Sequence, residues 1–154
     1  MRRLLKTVSI LAVCFAAFAA DAAATGRVIK VLPHFLDLDG RHAVSPGLFD
    51  RDAYQAMLRA HPEKVSALRY DIHWKASAAK GAKLRLRLEL RGVPHGKQVT
   101  ATTLETEVTP GVFSHWSSLT FSGEEFKKLG EVTAWRATLW DGDKFVGKQQ
   151  SFLW

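Results

Sequence analysis

Four basic side chains alternate along one predicted strand of this 154-residue chain, at Lys83, Arg85, Arg87 and Arg91. Alternate residues of a strand point to the same side about 6.6 Å apart. They therefore form a positive stripe that Glu89 interrupts and that Arg69, His73 and Lys75 extend if their strand is a neighbour. Such a stripe is suited to an anionic envelope polymer, for example lipopolysaccharide or an acidic polysaccharide. The alternative is a solvated outer face whose charges prevent aggregation between sheet edges.

A second group of residues has the chemistry of a ligand-binding surface. The alternation in residues 113–121 and 132–141 directs Trp116, Trp140 and Arg136 outward. An indole stacks on the apolar face of a sugar while polar side chains beside it bind the hydroxyl groups. If the two strands are neighbours, the three side chains share one sheet face and form one site for a glycan or a protein. The alternative is that one or both indoles are buried beneath a helix or loops.

Histidines and acids give a weaker indication of metal chemistry. The six His residues do not occur in HxH or HExxH patterns, so a zinc site requires residues distant in sequence, with His73 and His115 best placed. That site would make the protein a small metal-assisted hydrolase, which is our alternative from another functional class. Asp37-Leu38-Asp39-Gly40 begins like a calcium loop but lacks its later acids, so a turn is predicted there. We assign no metal ligand and no cofactor.

Nucleophilic catalysis finds little support in the sequence. There is no GxSxG motif, no Gly-rich phosphate loop and no dinucleotide-binding pattern. Ser114 and His115 are adjacent, so on a strand their side chains point in opposite directions and cannot form a dyad. We therefore assign no catalytic residue and interpret the protein as non-enzymatic.

Residues 1–24 are predicted to be a cleaved signal peptide. Basic residues at the start precede the apolar stretch from Val8 to Ala20, and small residues follow it. Val13 stands where a lipoprotein signal requires a small residue before Cys14, so lipidation is not predicted. Cleavage removes three basic residues and one acid, lowering the formal net charge from +7 to +5, and it removes the only cysteine. We expect a bacterial periplasmic or secreted protein with no transmembrane span after cleavage.

Residues 25–154 are predicted to form a single domain whose strands alternate apolar and polar residues from Val65 onward. Before them we predict an edge strand over residues 26–37, because Pro33 interrupts its pattern. A helix is predicted over residues 49–61, with a capping acid at Asp50. Its apolar stripe comprises Phe49, Ala53, Met57 and Leu58. A short helical turn over residues 123–129 and a hairpin at 141–143 lie between the late strands.

About seven strands with one inserted helix predict an all-β, antiparallel β-sandwich. Residues 133–142 and the strand after them resemble the closing hairpin of immunoglobulin-like and fibronectin-III-like domains. This resemblance implies architecture only, because such sandwiches serve adhesion, sugar binding and chaperoning alike. We interpret the protein as an exported binding module for an envelope or extracellular protein or glycan, and we expect no nucleic-acid partner. The segment 33–62 is the least sandwich-like part, and the sequence leaves its role open.

Overall fold

The computed structural model describes residues 23–94 and 98–154, so the predicted signal peptide lies outside the described residues apart from its last two positions. Seven strands and two helices are present in the described part. In chain order they are β1 (Thr25–Asp37), α1 (Leu48–Ala60), β2 (Val65–Ser77), β3 (Leu84–Val93), β4 (Thr100–Val108), β5 (His115–Ser122), α2 (Gly123–Leu129), β6 (Glu131–Asp141) and β7 (Lys144–Gln150). A single 3₁₀ turn over Pro62–Lys64 joins α1 to β2.

The strands form two antiparallel sheets. One sheet has the order β1-β2-β5 and the other has the order β4-β3-β6-β7. The all-β sandwich predicted from the alternation is therefore confirmed. Sheets of three and four strands facing each other are the architecture of the immunoglobulin-like and fibronectin-III-like group.

The core lies between the sheets and is built from alternate residues of the central strands. Strand β3 contributes Leu84, Leu86, Leu88 and Leu90, all of which are buried. Strand β2 faces them with Tyr70, Ile72 and Trp74, which are equally buried. The Trp74 indole Nε1 donates a hydrogen bond to Ser117 Oγ at 2.9 Å, so its polar atom is paired inside the core.

Two sheet edges approach each other closely along one side of the sandwich, where β1 meets β7. A Cβ atom at Gly147 would lie 2.9 Å from the Cα atom of Arg27 and equally close to the carbonyl oxygen of Gly26. Any larger residue at position 147 would push the strands apart, so this glycine permits the approach.

Several predicted boundaries change in the structure. Strand β1 continues through Pro33, which is tolerated because β1 is an edge strand, as predicted. Strand β5 begins at His115, so Phe113, which begins the strand predicted over residues 113–121, lies before it and is exposed. Helix α2 occupies the predicted range, but the side chain of its N-cap residue Ser122 makes no capping hydrogen bond.

The apolar stripe predicted for helix α1 is not the side by which the helix is attached to β1. Phe49, placed in the apolar stripe, is 85% exposed, and Leu58 is the residue of α1 that is fully buried. The attachment is largely polar, because the Gln55 amide accepts from the Phe35 N–H at 2.8 Å and donates to the carbonyls of Phe35 and His42. The N-cap residue is Gly47 and not Asp50, whose carboxylate instead accepts from Ser45.

The turn predicted at residues 37–40 is organised by the Asp37 carboxylate. It accepts hydrogen bonds from the N–H groups of Asp39 and Arg41 at 2.9 and 2.8 Å, as an Asx turn does. It also accepts from the Tyr54 hydroxyl of α1 at 2.6 Å and from Arg41 Nε at 3.0 Å. The Tyr54 hydrogen bond, followed by the Arg41 N–H, lowers the pKa of Asp37 to about 2. One carboxylate thus joins the end of β1, the turn and α1.

Replacing Leu58 by Ala should lower the free energy of unfolding by about 2–5 kcal/mol, because it leaves a cavity between α1 and the sandwich. Phe49→Ala should change it by less than about 0.5 kcal/mol, since that ring is exposed. Urea unfolding followed by circular dichroism measures both. A comparable loss for Phe49→Ala would show that the ring is packed.

Acid should weaken the attachment of the turn to α1. Because the pKa of Asp37 is lower in the folded protein, its stabilising contribution is complete above its ordinary value of 3.8. It should be lost as the pH falls from about 4 to 2. Asp37→Asn should therefore reduce stability at pH 6 and flatten its dependence over this range, measured as melting temperatures between pH 2 and 6. Asp39→Asn is the control, because that exposed carboxylate pairs with Arg41 at the rim of the turn. If the melting temperature of Asp37→Asn still falls steeply in acid, the loss of stability arises from other titrating groups.

Candidate functional site

The two exposed-tryptophan candidates lie on different sheets. Both indoles are directed to the outer faces, as the alternation predicted, but β5 belongs to the three-stranded sheet and β6 to the four-stranded sheet. Trp116 therefore lies on the opposite side of the sandwich from Trp140 and Arg136. A single shared site required the two strands to be neighbours, and they are not. Trp116 and Trp140 therefore belong to two separate candidate surfaces.

On the four-stranded sheet, Trp140 and Arg136 are engaged by their neighbours. The Arg136 guanidinium donates to both carboxylate oxygens of Glu89 at 2.7 and 2.9 Å, which lowers the pKa of Glu89. The Trp140 Nε1 donates to Thr138 Oγ1 at 2.9 Å, and its ring meets Phe145 edge to face. These contacts engage the polar groups of both side chains, and the Trp140 indole is only partly exposed.

The basic stripe of β3 lies on this same outer face and is largely compensated by β4. Lys83 pairs with Glu107 at 2.9 Å, and Arg87 pairs with Glu105. Arg85 donates to the carbonyl oxygen of Gly142 at 3.1 Å, and the Arg91 guanidinium lies 4.1 Å from the centre of the Trp154 ring. The proposed extension through Arg69, His73 and Lys75 does not occur, because β2 lies in the other sheet.

Trp116 dominates the outer face of the three-stranded sheet. Its indole is 53% exposed, and one side of the ring stacks on the His73 imidazole with centroids 4.6 Å apart and an interplanar angle of 7°. His73 and Trp116 are directly opposed on β2 and β5, so the sheet register fixes this stack. We call the outward residues Arg69, Asp71, His73, Trp116 and Ser118 the Trp116 face.

Asp71 is the polar centre of the Trp116 face. It lies opposite Ser118, two pairs along from the His73–Trp116 pair and therefore on the same side. Its carboxylate accepts from Ser118 Oγ at 2.6 Å and from the Arg69 guanidinium at 3.0 Å. His34 Nε2 lies 3.4 Å from the same carboxylate. A carboxylate and a hydroxyl are thus held roughly 7 Å along the strands from an open indole, and the Arg69 guanidinium contacts that carboxylate from its far side.

Of the side chains that lie beside the Asp71 carboxylate, His34 is the most deeply buried. It lies on the adjacent strand β1, its ring centre 5.1 Å from that of His42, and it is almost completely buried. Burial lowers the pKa of His34, against the opposing effect of the Asp71 carboxylate. Sequence reasoning missed both His34 and Asp71, because neither stands in a motif and their proximity depends on the pairing of β1 with β2.

The pair proposed for a metal site is separated by the sheet. His73 points outward against Trp116, whereas His115 points inward, with its ring 5.3 Å from that of Trp74. Across residues 23–94 and 98–154, no three His, Cys, Asp or Glu residues are grouped so that they could hold a metal ion. Ser77 and Lys80 have the spacing of an SxxK motif, but they lie at the end of β2 and in a turn, whereas that chemistry requires both on one helix face.

Comparisons with protein-family models, with characterised proteins and with solved structures yield no significant match for this chain. In the described part of the chain, neither helix is long and apolar enough to span a membrane. The function therefore has to be argued from the chemistry of the two outer faces.

The environment of His34 predicts a specific titration. Its imidazole signal should titrate below pH 6.5, and Asp71→Asn should lower the midpoint further, because the carboxylate favours the protonated ring. The imidazole signals of the protein in NMR spectra measure this directly. Ser118→Ala removes a hydrogen bond to Asp71 but keeps its charge, so it should shift the midpoint much less. An unchanged midpoint in Asp71→Asn would contradict the contact.

Proposed function

We propose that this protein is an exported, non-enzymatic binding module of a bacterial envelope or its surroundings that binds a neutral glycan through the Trp116 face. The supporting observation is the half-exposed indole of Trp116, held flat by the His73 stack beside the paired Asp71 and Ser118. A preformed aromatic surface loses little conformational entropy when a ligand stacks on it.

The polar groups beside the indole match what a sugar presents. A pyranose ring offers an apolar face to the indole and hydroxyl groups around its rim. Asp71, Ser118 and Arg69 already hydrogen-bond to one another. A sugar hydroxyl group would use the acceptor sites left on the carboxylate and on the Ser118 oxygen and the remaining N–H groups of the guanidinium. An open surface with a single aromatic stack suggests weak binding, with a Kd on the order of 0.1–1 mM.

The second hypothesis, an anionic polymer bound by Lys83, Arg85, Arg87 and Arg91, receives less support. Glu105 and Glu107 already pair with two of the four cations. Binding there would require the polymer to displace these ion pairs, and it would weaken steeply as salt screens the charges. Salt dependence therefore distinguishes the two faces.

A tryptophan-fluorescence titration with neutral and acidic oligosaccharides, at low and at high salt, tests the proposal. We expect a salt-resistant change with a neutral glycan that Trp116→Leu abolishes. Trp140→Leu is the matched control, since it removes an indole from the opposite outer face, and it should retain the response.

Three other outcomes of these binding experiments would change the proposed site or ligand. A response lost in Trp140→Leu and kept in Trp116→Leu would contradict the Trp116 face. Binding to acidic polymers alone, lost at high salt, would support the stripe on β3 instead. A purified envelope protein could instead bind without competition from any sugar. If Trp116→Leu abolished that binding, the Trp116 face would remain the site and its ligand would be a protein.

A further inference from the structure

Three of the four sheet edges carry features that prevent another strand from pairing with them. Such features are charged side chains, prolines and bulges, which make an added strand costly. Strand β1 has Lys30, Pro33 and a break in register between Val28 and Lys30. Strand β4 has outward Glu105 and Glu107. Strand β7 has exposed Lys144 and Lys148.

Strand β5 is the fourth edge, and it carries none of these features. The sequence from His115 to Ser122 contains no Lys, Arg, Asp, Glu or Pro. Its eight residues pair with β2 in an uninterrupted register, so the strand is regular over its whole length. Within residues 23–94 and 98–154, no other strand pairs with its outer edge. The N–H and C=O groups on that edge are therefore a template for a further strand.

We propose that β5 pairs antiparallel with β5 of a second copy of this chain, about a two-fold axis near Ser118. The two three-stranded sheets then form one continuous sheet of six strands. Antiparallel self-pairing of one edge is an isologous contact, which closes at the dimer. An uncharged strand meets its own copy without repulsion, whereas β4 would oppose Glu105 and Glu107 to the same acids.

The alternation of β5 restricts the register of this pairing. Directly opposed residues of an antiparallel pair point to the same side of the sheet. The outer faces of the two copies therefore lie on the same side only if the two-fold axis places one residue opposite its own copy. With Ser118 on the axis, Trp116 lies opposite Thr120 of the second copy on the outer face. Leu119 lies opposite Ser117 on the inner face.

Exposed apolar residues next to β5 support this contact. Val112 and Phe113 immediately precede the strand and are 82% and 77% exposed. Both residues lie in a bend just before β5, and antiparallel pairing brings the end of β5 of the second copy, where α2 begins, next to this bend. The dimer thus brings the second copy close to two exposed apolar side chains, and contact with it would remove them from water. The proposal does not depend on glycan binding, because Trp116 projects from the outer face and not from the paired edge.

Sedimentation equilibrium of the purified protein, compared with two lysine variants, tests the proposal. Ser118→Lys places two ammonium groups opposite each other across the axis, while within one chain the new lysine faces Asp71. Thr103→Lys is the matched control, because it adds a lysine to the β4 edge opposite Glu89. We expect a reversible dimer that Ser118→Lys weakens at least tenfold and Thr103→Lys leaves unchanged.

Hydrogen exchange supplies a readout that needs no variant. In the wild-type protein, the amides of residues 115–122 should gain protection as the concentration rises, and those of residues 100–108 should not. A protein that stays monomeric at ~1 mM would overturn the proposal. So would a dimer that Thr103→Lys disrupts and Ser118→Lys does not, or one whose concentration-dependent protection lies outside β5.

Discussion

Burial of alternate side chains between the two sheets is the constraint that shapes the rest of the molecule. The leucines of β3 meet Tyr70, Ile72 and Trp74 of β2 across the core. Because the side-chain period of a strand is two, burying one set of residues places the other set in water. The outward side chains of the strands are therefore presented on one of two outer faces, which lie on opposite sides of the sandwich.

The two outer faces both carry ion pairs, and they differ in how much of their indole stays exposed. On the four-stranded sheet, β4 and β3 bring acids opposite Lys83 and Arg87, and Glu89 pairs with Arg136. On the three-stranded sheet, Asp71 collects its hydrogen bonds from Ser118 and Arg69, and the indole beside it stays open. The first face is occupied by its own contacts, and the second leaves an aromatic surface for a partner.

Helix α1 shows where sequence patterns are insufficient. Its stripe of Phe49, Ala53, Met57 and Leu58 has helical spacing, and the helix forms nearly at the predicted positions. Spacing cannot show which side of a helix meets the protein, however, and Phe49 points into water. The helix is instead held by hydrogen bonds from Gln55 and Tyr54 to residues about 20 positions earlier in the chain. Such bonds depend on the path of the connecting turn, which leaves no periodic signal.

The sequence by itself determined the strands, the inward and outward sides of β2, β3, β5 and β6, the positions of both helices and the sandwich class. These properties depend on local backbone geometry, which period-two and helical patterns record directly. Only the tertiary structure decided that Trp116 and Trp140 lie on separate faces, that acids of β4 compensate the β3 stripe, and that His34 meets Asp71. Strand order depends on long-range packing between whole sheets. The alternation within one segment shows which of its sides is apolar, but it does not show which strand will be its neighbour.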